Sequence, residues 1–190
     1  MVGPDATTII DPDAEDSGAP KGPTPMNQPA FSHVDAAGRL AMVDVTDKTP
    51  TRRVAEARCL VVSHVDVLAL APSPSGFPPV VTARLEGIHA AKQTAELIPL
   101  CHPLALHDVA IDVVAHARGV AVTSRVVTVG RTGVEMEALT ACSFAALGLL
   151  HFVLVLDPDA RIEEAVVISK SGGASGDWYR DDEGDHPRGD

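Results

Sequence analysis

Ala105-Leu-His-Asp-Val-Ala-Ile-Asp-Val-Val-Ala-His-Ala117 and Val120-Ala-Val-Thr-Ser-Arg-Val-Val-Thr-Val129 are two apolar/polar alternating runs joined by Arg118-Gly119. Alternation at a period of two places Val109, Ile111 and Val113 on one face of the first run, and Val120, Val122 and Val126 on one face of the second. With a glycine turn between them, the runs read as paired antiparallel strands, each with one buried face. Working outward, the stretch from Gly133 to about Leu156 has helical composition and length and is stopped by Asp157-Pro158. Ile162–Ser169 reads as a last strand. Upstream, Ala41–Val45 reads as a short strand and Val54–His64 as a longer one. Val65–Ala71 reads as a short helix, residues 72–79 as a proline-rich loop, and Val80–Leu97 as a helix ended by Pro99. In that helix Ala83, Gly87 and Ala91 are spaced for close approach to another element. Strands beside helices without a strict βαβ repeat predict an α+β sandwich, with helices on one face of a mostly antiparallel sheet.

The 190 residues suit a single domain able to bury a real core. Aromatics make up only 3 %, so Val, Leu, Ile and Ala must do the packing. The net charge of −11 is concentrated at the ends: residues 1–30 and 177–190 each carry −4, which leaves 31–176 near −3. Without a basic stripe the chain is not expected to bind nucleic acid. Residues 1–30, with six prolines and few large apolar groups, and the acidic stretch 177–190 are expected to be tails flanking a domain at 31–176. Trp178 and Tyr179 could nonetheless dock.

Three cysteines, Cys59, Cys101 and Cys142, at wide spacing argue for a reducing compartment. No apolar leader follows Met1, so a cytoplasmic protein is expected. Ala138–Leu156 has nineteen residues without a formal charge, and a membrane span must be weighed. Its flanks are Glu135, Glu137, Asp157 and Asp159, with no Lys/Arg excess, which favours a buried helix over a membrane helix. A helix apolar on all sides in so small a domain implies that part of it meets another copy of the chain.

Four segments can carry chemistry. Leu97-Ile-Pro-Leu-Cys-His-Pro103 pins Cys101 and His102 between prolines at an element end, where a histidine can simply be packed or can act. Adjacent Cys and His do not face one metal, and no CxxC or HxxxH partner exists, so no metal is expected. Thr132-Gly-Val-Glu135 has the spacing of a capping box, which would give Glu135 a purely structural role. Glu137 lies roughly 200° around the helix from Glu135. A carboxylate on each side of a helix start suits the paired N–H donors of a guanine or pterin edge. Lys170-Ser-Gly-Gly-Ala-Ser-Gly176 is either a flexible linker or a backbone cradle for phosphate. Lys92 on the Val80–Leu97 helix is by itself an ordinary surface lysine.

Together, Val81-Thr-Ala-Arg-Leu-Glu-Gly-Ile-His-Ala-Ala-Lys92, Leu97–Leu104, Thr132-Gly-Val-Glu-Met-Glu-Ala-Leu-Thr-Ala141 and Lys170-Ser-Gly-Gly173 resemble, in order and spacing, the cyclic pyranopterin monophosphate synthase family (molybdenum cofactor biosynthesis protein C). His33–Gly38 and Met42–Val45 fit the start of that family. The resemblance implies a ferredoxin-like fold, assembly as a homo-oligomer (dimer to hexamer) with pockets at subunit interfaces, and no cofactor. It also implies a substrate, a cyclic dihydroguanosine triphosphate rearranged to a pyranopterin with loss of pyrophosphate. Lys92, Cys101, His102, Glu135, Met136 and Glu137 would then bind substrate, with His102 and Lys170 in the catalytic set. The chain is a divergent member. Where the family has an Asp and, three residues on, a Lys near the end of the long helix, this sequence has His151 and Leu154. A family lysine in the loop before the Val80 helix falls at Gly76. His151 is the remaining candidate acid or base there. Leu154 cannot transfer a proton, which leaves open a catalytically impaired paralogue that binds the pterin or nucleotide, or co-assembles with an active synthase.

Overall fold

The structure is a computed structural model that describes residues 33–34, 37–72 and 76–181. The expected N-terminal tail and most of the C-terminal one lie outside the described residues. The elements are β1 (Thr51–Val62), a 3-10 turn (Val67–Ala69), α1 (Pro79–Lys92), α2 (Thr94–Leu97), β2 (Leu106–His116), β3 (Gly119–Gly130), α3 (Glu135–Val153), β4 (Arg161–Ser171) and β5 (Trp178–Tyr179). They form one five-stranded sheet of order β2-β3-β1-β4-β5. Every neighbouring pair is antiparallel. The first four strands with α1 and α3 make the β-α-β-β-α-β arrangement of a ferredoxin-like sandwich.

Alternation along the strands decides which face meets the helices. Ala55, Ala57, Cys59 and Val61 of β1, and Val120, Val122 and Val126 of β3, are fully or almost fully buried. Against them lies the stripe Ala138, Ala141, Cys142, Ala145, Ala146, Leu149 and Val153 of α3, recurring at helical spacing and buried throughout. Most of these side chains are small, so helix and sheet approach closely. Two polar contacts lock the seam: Ser124 Oγ donates to the Ala138 carbonyl at 2.7 Å, and Cys142 Sγ to the Val122 carbonyl at 3.2 Å. By length and composition α3 could cross a membrane, but half of that stretch is buried inside this domain.

The expected small-residue face of α1 is present: Ala83, Gly87, Ala90 and Ala91 are buried. Gly87 is a point of close approach between α1 and α3. A Cβ there would stand 2.6 Å from the Ala141 carbonyl oxygen and 2.3 Å from Ile111 Cδ1.

Several expectations differ in detail. Ala41–Val45 is not a strand. Its alternation survives, with Ala41, Val43 and Val45 half-buried and Met42 and Asp44 exposed, but it pairs with no ladder. Among the described residues the pairing nearby is an isolated Val34–Leu40 bridge. Val65–Ala71 shrinks to one 3-10 turn, because Asp66 Oδ1 caps the amides of Leu68 and Ala69 and the chain then extends. The Val80–Leu97 helix breaks at Gln93, whose φ of −103° departs from helix geometry. The β2–β3 turn is Ala117–Arg118, with Gly119 (φ +142°) opening β3 where a Cβ would strike the Val61 carbonyl oxygen. Trp178–Tyr179 pairs with Ser169–Lys170, so the sheet runs past the boundary expected at residue 176. Asp157 does more than stop α3. Its buried carboxylate accepts from Ser63 Oγ (2.7 Å) and the amides of His64 (3.1 Å) and Asp159 (3.2 Å), tying the helix end to the end of β1.

Gly87→Ala is expected to lower stability by about 1–3 kcal/mol, since the obstruction includes a backbone carbonyl that cannot move aside. Denaturant unfolding of the two proteins measures it. An unchanged midpoint would show that α1 and α3 are not held at this distance.

Candidate functional site

The site forms where the first turn of α3 meets the segment Leu100–Pro103. The cap residue of α3 is Val134, which makes no side-chain cap bond, and Thr132 Oγ1 donates to the Gly133 carbonyl at 3.0 Å. The expected capping box is therefore not made. Glu135 instead folds back over Gly133, where a Cβ would stand 1.8 Å from its Oε2, and pairs with Lys170 Nζ at 3.4 Å. The reason is long-range. β4 brings Lys170 opposite Ala55 of β1, on the sheet face that carries α3, and an ammonium attracts the carboxylate more strongly than a neutral amide does.

On the other side, Ile98 accepts from the Cys101 amide at 3.0 Å, a turn that presents Cys101 and His102 half-buried. Between these walls lies a cleft of two lobes. One, of ≈120 Å³, is lined by His33, Cys101, His102, Thr132, Glu135, Met136 and Glu137 among others. The second, of ≈110 Å³, is lined by Lys92, Thr94, Glu96, His102, Pro103 and Glu137. His102 and Glu137 face both lobes. Although Glu135 and Glu137 leave the helix in different directions, the cleft wraps its end, and both line the first lobe. Lys92, Cys101, His102, Glu135, Met136, Glu137 and, through Glu135, Lys170 are thus one cluster.

The electrostatics of the cluster centre on Glu137. Its side chain is only 4 % exposed. Loss of hydration pushes its pKa up from 4.5 to about 7; its own backbone amide opposes this and the nearby Glu135 carboxylate adds to it. It can therefore hold or release a proton at neutral pH. Burial, then Glu137, raises the Cys101 thiol, which stays protonated and is a weak donor rather than a nucleophile. Asp44 is held below the usual carboxylate range by the Thr46 hydroxyl and amide, with a smaller contribution from His102. His33 Nδ1 is buried without a hydrogen-bond partner. His33 and Asp44 were not among the expected site residues. The signal for them was there, since both belong to the N-terminal blocks that carry the family resemblance. Among the described residues no group of three His, Cys, Asp or Glu is placed to hold a metal ion.

One expected residue is not brought to the cluster. His151 lies fourteen residues beyond Glu137 on the same helix, about 21 Å along its axis. It lines a separate groove of ≈390 Å³ between α1 and α3, with Glu86, His89, Gln93 and Phe144. Leu154 follows it at the end of α3, 43 % exposed.

The chemistry the cluster can perform is proton transfer on a planar ring presenting paired N–H groups. Two carboxylates receive the donors, one of them titrating near neutrality, with an imidazole and an ammonium beside them. Because burial raises the carboxyl pKa of Glu137 in the folded state, the unfolded chain binds fewer protons than the folded one between pH 4.5 and about 7. Stability should therefore fall as pH rises through that window and level off above it. Glu137→Gln should remove this fall, so that its stability relative to the unaltered protein is greater at pH 8 than at pH 5. Urea unfolding at the two pH values checks it; identical slopes in both proteins would place the Glu137 carboxylate in water.

Sequence comparison adds the family. The profile of the MoaC family matches residues 42–173, more than half of the chain. The chain is 44 % identical over 153 residues to cyclic pyranopterin monophosphate synthase 2 of Mycobacterium tuberculosis, covering 79 % of this chain and 91 % of that protein. It is 42 % identical over 164 residues to the cyclic pyranopterin monophosphate synthase of a Nostoc species (84 % and 97 %). With that of Streptomyces coelicolor it is 44 % identical over 163 residues (85 % and 96 %). The matched stretch includes the Leu100–Pro103 turn, the start of α3 and Lys170, and the chain belongs to the MoaC family.

Proposed function

We propose that this chain acts in molybdenum cofactor biosynthesis as a cyclic pyranopterin monophosphate synthase, taking a cyclic dihydroguanosine triphosphate to cyclic pyranopterin monophosphate and pyrophosphate. The observation that carries the reading is Glu137: a buried carboxyl with a pKa near 7, at a helix start, flanked by His102 and by the Glu135–Lys170 pair. Opening a purine-derived ring and closing a pyran requires protons to leave and return at several ring atoms. A carboxyl poised at neutrality beside an imidazole suits that work. In this reading Glu135 and Glu137 receive the guanine-edge N–H groups, and Met136 and Lys92 bound the cleft. The neutral Cys101 thiol and His102 face the ring, while His102 and Lys170 handle protons and phosphate charge.

The site is incomplete in one protomer. Neither lobe of the cleft could enclose a nucleotide, as ligand pockets usually span about 300–1,000 Å³. His151 can reach the cleft only from a neighbouring copy. Phe144, Leu147, Leu154, Val155 and Leu156 are exposed apolar side chains on and just beyond the outer side of α3, as expected of a surface covered in an assembly. The proposed working unit is therefore a homo-oligomer, dimer to hexamer, of the domain 31–176 in the cytoplasm. The compartment is supported by three free thiols. Light scattering at micromolar concentration should give a dimer or larger species; a monomer would remove His151 from the site.

Purified protein incubated with the cyclic dihydroguanosine triphosphate should release pyrophosphate, and His102→Ala should abolish release. No release above background, with the nucleotide still bound, would favour the second reading, a binding protein without turnover. That reading has one observation behind it: Leu154 is a hydrocarbon where the family resemblance expects a lysine. Loss of one acid–base group costs ~10²–10⁴ in rate. The pair His151→Asp with Leu154→Lys is accordingly expected to raise the rate of pyrophosphate release.

A further inference from the structure

Two of the three thiols, Cys59 and Cys142, have no part in the proposed mechanism and are fully buried where α3 sits on β1. Alternation puts Cys59 on the strand face of Ala55, Ala57 and Val61, and Cys142 belongs to the stripe of α3 that packs against that face. The two are far apart in sequence, yet their contacts interlock. Cys142 Sγ stands 3.2 Å from the Val122 carbonyl, and Val122 is the residue directly opposite Cys59 in the β1–β3 register. Cys59 Sγ lies 3.8 Å from Ser143 Oγ, the side chain next to Cys142 on the helix. The thiols also hydrogen-bond to one another. A disulfide needs its two Cα atoms within about 7 Å. The alanines of the seam bring strand and helix close enough for two such short side chains to touch.

The pair is chemically unequal. The Cys142 S–H, shared between Cys59 Sγ and the Val122 carbonyl, holds the Cys59 thiol below its usual range; burial opposes this and the Ser143 hydroxyl adds to it. The same bond, and burial after it, raise the Cys142 thiol. Cys59 is therefore the sulfur that ionises first, and the thiolate is the form that attacks an oxidant. Its neighbour Ser143 is only half-buried, so a small oxidant meets Cys59 after passing one hydroxyl. Cys101 is less buried than either thiol but is kept protonated.

We propose that Cys59 and Cys142 form a redox couple, which hydrogen peroxide converts into a disulfide that staples α3 to β1. The Cys59 thiolate attacks one peroxide oxygen and breaks the O–O bond, giving the Cys59 sulfenic acid. The other oxygen leaves as hydroxide and takes up the proton that Cys59 released, as water. The Cys142 sulfur then attacks the sulfenic sulfur while its S–H proton passes to the departing oxygen, and a second water leaves. Two thiols are oxidised to one disulfide, and one peroxide is reduced to two waters. A dithiol reverses the step by exchange. Since α3 carries Glu137 in its first turn, the staple fixes the helix on which the cleft is built without consuming a group of the cleft. The couple is independent of whether the chain turns over a nucleotide.

The test treats folded full-length protein with hydrogen peroxide, removes the excess with catalase, unfolds the chain in urea and alkylates every free thiol with iodoacetamide. Untreated protein should take up three groups, one per cysteine, and treated protein a single group on Cys101. Peptide mass mapping should join Cys59 to Cys142 with the loss of two hydrogen atoms, and dithiothreitol should restore the untreated pattern. The oxidised protein should unfold at higher urea than the reduced one, because the cross-link restricts the unfolded chain. Cys59→Ala, sized to the seam, should abolish both the cross-link and the shift, while Cys101→Ser keeps both. Mapping of the unaltered chain decides the matter if a variant fails to fold. The proposal is overturned by full alkylation after a treatment that oxidises glutathione in the same tube, by a cross-link through Cys101, or by oxygen retained on Cys59 without a cross-link. A cross-linked protein that unfolds at the same or lower urea overturns the staple.

Discussion

The close seat of α3 on β1 is the constraint from which the site follows. Ala55, Ala57 and Cys59 face Ala138, Ala141, Cys142 and Ala145, and Gly87 of α1 presses on the other side of the helix. With almost no bulky side chain at the seam, the helix axis has little freedom to slide or roll, because any displacement opens voids that nothing nearby can fill. Asp157 pins the far end of the helix to the end of β1. The near end is then aimed at the Leu100–Pro103 turn, and Glu137 enters the interior whether or not that suits a carboxylate.

Burying Glu137 costs stability at neutral pH, since the ionised form loses its hydration and gains no cation of its own. Lys170 is taken by Glu135. The two carboxylates of one helical turn are thereby divided in character. Glu135 is paired and partly exposed, while Glu137 is buried and shares a proton with solvent only near pH 7. Such a division is how one turn of helix can both grip an N–H edge and move a proton. Burial first, and Glu137 second, keep the Cys101 thiol beside it protonated.

The same helix holds two of the expected site groups apart. Its first turn carries the carboxylates and its last carries His151, and a rigid rod of this length cannot fold the two ends onto one ligand. The apolar side chains left exposed near its C-terminal end, Phe144, Leu147 and Leu154, lie close to His151 on the same stretch. In the proposed assembly, covering that apolar surface and bringing His151 to a cleft would be the work of one contact. That is economical for a small domain whose clefts are individually too small for a nucleotide.

The sequence by itself determined the architecture: the β2–β3 hairpin, the small-residue face of α1, the buried stripe of α3 and the last main strand were legible because periodicity and glycine spacing are local signals. So was the cluster of Lys92, Cys101, His102, Glu135 and Glu137, carried by segments whose order and spacing resemble one family. The failures share a cause. Ala41–Val45 alternates as a strand does but meets no partner edge, and alternation cannot report whether one exists. Thr132–Glu135 spells a capping box, yet Lys170, thirty-five residues on, claims the carboxylate. Only the tertiary structure decided which groups lose water and which charges meet: the proton affinity of Glu137, the distance of His151 and the Glu135–Lys170 pair. Burial and ion pairing depend on segments far apart in the chain, and no window of sequence contains both partners.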